Sequence, residues 1–200
     1  MKKNKKHQDS FSFKEKYQRC WKYLIKSKKF IFITAGIFLL FVFLGFFIPA
    51  PDFVSEWISD YIKGVVDVTK NLSAGGLVSF IFLKNLKSSF FGLLLGSILG
   101  IFPLFASLFN GYLLGFVLNA SIDAQGVGVI WRLFPHGVFE MPAIFISLGM
   151  GLKLGIDLIF RRKKGEIAGN FYSSLEVFLL IVMPLLLLAA VIEGLLIFLT

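Results

Sequence analysis

His136 and Glu140 are two ionisable side chains, four residues apart, inside a stretch of mainly apolar residues. Four residues are close to one helical turn, so a helix would place both side chains on the same face. A charged side chain in hydrocarbon costs about 3 kcal/mol on insertion scales, which makes an intramembrane glutamate a functional-site hypothesis by default. This pair is therefore the first candidate for a site.

The helix that carries this pair is predicted to pack closely against a neighbour. Ala143, Ser147 and Gly151 continue the face of Glu140 as a stripe of small residues, which lets another helix approach. Pro142 predicts a kink just beyond Glu140. Glycines at the same four-residue spacing predict tight packing in several spans: Gly92, Gly96, Gly100, Gly111, Gly115, Gly151 and Gly155.

The composition predicts an all-α integral membrane protein with one polytopic domain. Of the 200 residues, 56% are hydrophobic, and the mean hydropathy of +0.80 is too high for a soluble domain. Cys20 is the single cysteine, which excludes an intrachain disulfide and a cysteine-based zinc site. The sequence carries no cofactor fingerprint, so we predict no organic cofactor.

Positive charge is concentrated in the N-terminal leader, residues 1–29. Eleven basic and two acidic residues precede Phe30, so the leader accounts for the whole net charge of +9. Apolar residues recur at helical spacing between Phe11 and Ile25, with lysines between them. The pattern predicts a basic cytoplasmic amphipathic helix at the membrane interface, with anionic lipids rather than nucleic acid as its partner. A solvated basic arm is the alternative.

Apolar runs predict a bundle of about five transmembrane helices within a polytopic domain of residues 30–200. From Ser88 to Ile122 there are 35 uncharged residues, about 52 Å of helix against about 60 Å for two crossings. The middle of the bundle is therefore two short or tilted spans, or a re-entrant hairpin. Residues 52–72 form an amphipathic pattern that predicts an extracytoplasmic helix. The predicted spans are 30–48, 83–102, 104–121, 131–157 and 176–199.

Two basic clusters fix the predicted orientation. The leader and residues 161–164 both carry positive charge, and such clusters belong on the cytoplasmic side. Five spans satisfy both clusters when the N-terminus is cytoplasmic and the C-terminus extracytoplasmic. We therefore predict a multi-pass protein of the plasma membrane in this orientation.

This topology brings further polar residues to the depth of Glu140. Glu193 lies near the outer end of the last span, Asn119 ends the third span, and Asn85 begins the second. The predicted intramembrane site lies in the outer half of the bundle and comprises His136, Glu140, Glu193, Asn85 and Asn119. Depth alone leaves the rotation of each helix about its axis open.

Three interpretations of this site remain open. The first is a structural polar cluster in which Lys84 or Lys87 neutralises a carboxylate. The second is a metal ion or proton held near His136, Glu140 and Glu193, since imidazole and carboxylate are acceptable metal ligands. The third is a transport or lipid-handling pathway lined by these groups. No nucleophile–base pair or phosphate loop is present in the sequence, so we assign no catalytic residue and predict no enzyme.

Four motifs resemble those of the stage II sporulation protein M family, small polytopic membrane proteins of bacteria and archaea. They are L-K-N-L-K at 83–87, N-G-Y-L-L-G-F at 110–116, F-P-H-G-V-F-E-M-P-A at 134–143 and A-A-V-I-E-G at 189–194. The resemblance covers roughly residues 30–200, and His136, Glu140, Asn85 and Glu193 are the positions that match family motifs. In endospore formers the family's namesake recruits peptidoglycan-degrading partners, although many relatives occur in organisms that never sporulate.

From the resemblance we expect a non-enzymatic scaffold that organises membrane or cell-envelope proteins, with self-association left open. The alternative is a transporter or an ion- or lipid-conducting protein that uses the Glu140/Glu193 pocket, and an intramembrane metalloenzyme ranks third. A water-filled cavity reaching both glutamates would favour the alternative. A dry, fully paired cluster would favour the scaffold, and a bound metal with an open coordination position would favour the metalloenzyme.

Overall fold

A computed structural model describes residues 13–160 and 163–199, and every regular element within these ranges is helical. A single 3₁₀ turn joins two of the helices, and a π-helical segment interrupts the last one. In chain order the elements are α1 (Phe13–Phe47), α2 (Asp52–Thr69), α3 (Ala74–Leu99), α4 (Phe102–Gln125), the 3₁₀ turn (Val127–Val129), α5 (Ile130–Ile159), α6 (Lys164–Val177), the π segment (Phe178–Val182) and α7 (Met183–Leu199).

Five helices of the described chain are long and apolar enough to cross a membrane, which confirms an all-helical, multi-pass architecture. They are Lys14–Phe47, Ala74–Ile98, Phe102–Gln125, Gly137–Ile159 and Gly165–Leu199. The first lies within α1, which combines part of the leader and the first predicted span into one continuous helix of 35 residues. The last combines α6, the π segment and α7 in the same way.

The middle of the chain forms two separate helices of membrane length. α3 has 26 residues and α4 has 24, which favours two spans over a re-entrant hairpin. The break falls at Gly100, whose φ of +66° suits glycine, and Pro103 follows in the first turn of α4. α5 continues without interruption through Pro142.

The two ends of the bundle carry different elements. We call the "basic end" the end formed by residues 13–27 of α1, residues 153–159 of α5, and α6. We call the "distal end" the end formed by α2, residues 74–85 of α3, residues 137–141 of α5, and residues 193–199 of α7. α1, α4 and α7 run from the basic to the distal end, whereas α3 and α5 run back.

Glycines bring α3 and α5 into backbone contact. A Cβ on Gly96 would lie 2.8 Å from the backbone of Gly151, and one on Gly155 would overlap the backbone of Gly100. Ser147 Oγ donates to the carbonyl of Ser89 across the same seam, at 2.6 Å. Each glycine of the predicted set faces a neighbour that a Cβ would reach within 3 Å; Gly111 and Gly115 face the α1 carbonyls of Phe38 and Val42.

α2 contacts α3 and α4 through side chains. Ile58 is buried, and the Trp57 ring packs edge-on against Phe109 of α4, with 5.6 Å between ring centroids. Lys84 Nζ of α3 lies 5.5 Å from the centre of the Tyr61 ring. The apolar side of α2 therefore faces α3 and α4, and its position outside the membrane stays a prediction.

Candidate functional site

Lys84, Asn85, Glu140 and Glu193 meet at the distal end, and we call them the glutamate cluster. Ser73 caps the N-terminus of α3, where its Oγ accepts from the Gly76 amide at 3.3 Å, and the helix reaches Lys84 and Asn85 after about three turns. Gly194 lets α7 approach α3 closely, since a Cβ there would lie 2.6 Å from the Val78 side chain. That close approach carries the adjacent Glu193 toward α3.

Glu140 is the centre of the cluster. The Asn85 amide, the Glu193 carboxylate and the Lys84 ammonium are all close enough to act on its carboxylate electrostatically. Glu140 and Asn85 are half-buried, whereas Lys84 is exposed. The cluster therefore combines two like charges, one cation and one hydrogen-bond donor from three different helices.

Two cavities meet at this cluster, and Lys84, Asn85 and Glu140 line both. The first has a volume of about 740 Å³ and extends between α2, α3 and α7. The second has about 660 Å³ and extends between α3, α4 and α5. Glu193, Lys70, Phe198 and Thr69 line the first cavity, so two glutamates and two lysines border one space.

The remaining walls are mainly apolar and reach the outer surface of the bundle. Phe198 in the first cavity and Phe105 in the second are 56% and 62% exposed. Both cavities therefore connect a polar centre to exposed apolar side chains on the outside of the bundle. This shape suits a ligand with a polar head and an apolar body.

The structure brings together three of the five predicted site residues. Glu140, Glu193 and Asn85 line one cavity. Asn119 lies half-buried in α4 and is missing from the described residues that line either cavity. His136 lies in α5, but its side chain is outside the described part of the chain. Among described side chains, no group of three or more His, Cys, Asp or Glu is arranged to hold a metal, so the metal hypothesis at His136 stays untested.

A second polar group at the basic end was not predicted. Lys153 and Asp157 of α5 are 4% and 3% exposed, and their Nζ and Oδ2 atoms are 3.4 Å apart. Asn170 Nδ2 donates to Asp157 Oδ2 at 2.8 Å, and Lys153 Nζ donates to the Tyr23 hydroxyl at 3.2 Å. Tyr23 and Ser174 share a hydrogen bond of 2.9 Å between their hydroxyl oxygens. We call these five residues the lysine network.

The sequence signal for this network was present in part. Lys153 and Asp157 are four residues apart in an apolar helix, the same spacing as His136 and Glu140. Their partners come from α1 and α6, whose rotation toward α5 depends on packing. The Lys153–Asp157 pair could therefore have been predicted from the sequence, whereas its contacts with Tyr23 and Asn170 could not.

Comparisons with known proteins bear on the same residues. The family model described as stage II sporulation protein M matches residues 34–196, which include the whole glutamate cluster and exclude Tyr23. The chain is 28% identical over 182 residues to an uncharacterized protein of the archaeon Methanocaldococcus jannaschii, a match that covers 85% of this chain and 82% of that protein. No solved structure matches.

Proposed function

The chain belongs to the stage II sporulation protein M family, and on that premise we propose that it binds an amphipathic ligand at the glutamate cluster and passes it along the bundle. The proposed activity is non-covalent binding and movement, without a catalysed reaction. One observation carries this proposal: Glu140 and Glu193 border the same cavity, and that cavity joins polar side chains to exposed apolar side chains such as Phe198.

The charges of the cavity favour a zwitterionic head group. Two glutamates attract an amine, and Lys84 on the same walls attracts a phosphate. Lys70 also borders the cavity but is paired with Asp67 at 2.8 Å. The apolar walls, which include Phe80 and Phe198, would accommodate acyl chains. The ligand class that matches both features is a phospholipid with a primary-amine head group.

α2 is placed to control access to this site. Val65, Val66 and Thr69 line one cavity and Tyr61 lines the other, so the helix covers part of both. Its contacts with the bundle are made by side chains such as Trp57 rather than by close backbone packing. We propose that displacement of α2 opens the cavities to the ligand.

Ligand selection is tested by native mass spectrometry of the protein released from a neutral detergent with equimolar phosphatidylethanolamine and phosphatidylcholine. Wild type should retain phosphatidylethanolamine in preference. Glu140→Gln and Glu193→Gln should reduce that preference about tenfold, the usual worth of one charge-assisted hydrogen bond. Glu56→Gln, an exposed change on α2, serves as the matched control. Unchanged preference in both cavity variants would refute the proposed ligand site.

Movement is tested in vesicles that carry phosphatidylethanolamine labelled on its acyl chain. An impermeant reductant quenches only the outer leaflet, so transfer between leaflets raises the quenched fraction above one half. Wild type should raise it, and Glu140→Gln should not. Equal quenching with and without wild-type protein would limit the function to binding.

A scaffold is the second candidate function. It is favoured by the length of α1, which exceeds the thickness of the hydrocarbon core and leaves a part of the helix that could bind a partner. α1 has 35 residues, about 52 Å, against about 30 Å of hydrocarbon. Its surplus packs on α6 and the π segment, where the Tyr17 hydroxyl donates to the Leu180 carbonyl at 3.1 Å. A photoreactive residue at Tyr172, which is 69% exposed, should yield one discrete protein adduct in cells if this projection binds a partner. Lipid-facing Phe32 is the control position, and equal labelling from both would count against the scaffold.

We propose that the basic end faces the cytoplasm of a plasma-membrane protein, because the leader and residues 161–164 are both positively charged. Single cysteines at Ser59 and Gly165, in a Cys20→Ser background, report the orientation to an impermeant thiol reagent. In intact cells position 59 should react and position 165 should not. The reverse pattern would invert the proposed topology.

A further inference from the structure

A third cavity, of about 460 Å³, lies at the basic end between α1 and α6. Arg19, Lys22 and Lys26 supply its cationic side, and Glu166 is its one carboxylate among the described lining residues. The formal charge of the walls is therefore positive. Arg19 also lies 3.9 Å from Glu176, so Lys22 and Lys26 are the main cations for a ligand. We propose that this cavity binds a phosphate-bearing anion, independently of the function proposed for the glutamate cluster.

The floor of this cavity is rigid and polar. Tyr23 and Asn170 line it, and both are 7% exposed. The lysine network holds them, through the Tyr23–Ser174 hydrogen bond and the Asn170–Asp157 hydrogen bond. A fixed floor lowers the entropy that binding must overcome, which distinguishes this cavity from a flexible basic arm.

The depth of the cavity matches that of lipid phosphates. Lys26 lies 21 residues before the end of α1 at Phe47, which is about 32 Å of helix. The hydrocarbon core is about 30 Å thick, so Lys26 and Lys22 lie at the boundary where head groups begin. A phospholipid head group and a soluble phosphate ester offer the same chemistry, and the experiment separates them.

Gly169 leaves the space over α6 open. It lines the cavity, and a Cβ at this position would meet nothing within 4 Å. Gly169→Leu should therefore fill the cavity without a clash and without a change of charge. Gly165 is equally open but is absent from the described lining of the cavity, so Gly165→Leu is a matched control on the same helix.

The test is native mass spectrometry of the full chain in neutral detergent with equimolar phosphatidylglycerol and phosphatidylcholine. Wild type should retain one phosphatidylglycerol in preference. Lys22→Gln/Lys26→Gln should reduce its retention roughly thirtyfold, as expected for two basic contacts, and Gly169→Leu at least fivefold. Lys28→Gln/Lys29→Gln removes the same charge from exposed positions outside the described cavity lining and should change retention less than about twofold.

Competition identifies the source of the phosphate. Displacement of phosphatidylglycerol by millimolar glycerol phosphate would assign the cavity to a soluble phosphate ester, and resistance would assign it to the lipid; both support the site. Equal losses in the Lys28/Lys29 control would overturn it, because they would reduce the effect to general attraction of the leader. Absence of any preference for phosphatidylglycerol, together with no binding of glycerol phosphate, would also overturn it. Thermal stability measured in parallel separates loss of ligand from loss of fold.

Discussion

The glutamate cluster and the lysine network are two polar groups on the same helix, about 20 Å apart along α5, and they are built in opposite ways. Lys153 and Asp157 are nearly inaccessible and bonded to residues of α1 and α6. Glu140 is half-buried and borders two cavities, with a second glutamate nearby. Opposite charges paired in a closed site hold helices together, whereas like charges in an open site leave room for a ligand.

The first prediction concerns the closed site and carries the largest effect. Asp157→Ala leaves Lys153 buried without its carboxylate, so we expect a loss of about 3–5 kcal/mol in the free energy of unfolding. Asp67→Ala breaks the exposed Lys70–Asp67 pair and should cost less than about 1 kcal/mol. Thermal unfolding in detergent measures both. A loss for Asp157→Ala no greater than for Asp67→Ala would erase the distinction between the two regions.

The second prediction compares backbone packing at the two ends of α5. Gly155→Ala places a Cβ on the backbone of Gly100, so α3 and α5 must separate, at a cost of about 1–3 kcal/mol. Gly137, one turn before the glutamate cluster, has nothing within 4 Å of a Cβ. Gly137→Ala should therefore be neutral or stabilise by up to about 1 kcal/mol, because alanine is the better helix former. Equal melting temperatures for the two variants would contradict the tight seam.

The third prediction addresses coupling within the open site. Glu140→Gln relieves repulsion by Glu193 but weakens attraction to Lys84, so its stability effect should stay within about 1 kcal/mol. Glu193→Gln and the double variant complete a cycle whose coupling energy should exceed about 0.5 kcal/mol. The cycle is measured by thermal unfolding with and without chelator. Additive effects would mean that the glutamates do not interact, and a loss of several kcal/mol would mean that they hold a cation.

The smallest effect on stability is expected from Lys84→Met. Lys84 is exposed and its ammonium lies 5.5 Å from the Tyr61 ring, so its removal should change stability by no more than about 0.5–1 kcal/mol. The same change should lower phosphatidylethanolamine retention, because a cation of the ligand cavity is lost. A large fall in melting temperature would instead make Lys84 a structural partner of Glu140. Lys63→Met, an exposed change on α2, provides the control.

Much of the candidate site could be predicted because depth in a membrane helix follows from residue counting. Glu140, Glu193 and Asn85 were expected at one level and border one cavity, since helices of fixed rise run in alternating directions. Asn119 was expected there for the same reason, yet it is absent from the described lining of both cavities. Residue counting gives the depth of a side chain in the bundle, whereas lining a cavity also requires the correct rotation about the helix axis.

The sequence alone determined the helical class, the number of membrane-length helices and the concentration of positive charge at one end, because each depends on local composition and length. It also indicated which glycines pack against neighbouring helices, since small residues at four-residue spacing form a stripe on any helix. Only the tertiary structure decided that α1 runs unbroken from the leader into the first span. Only packing joined Tyr23 and Asn170 to Lys153 and Asp157, because these partners lie up to 130 residues apart and meet through the rotation of three helices.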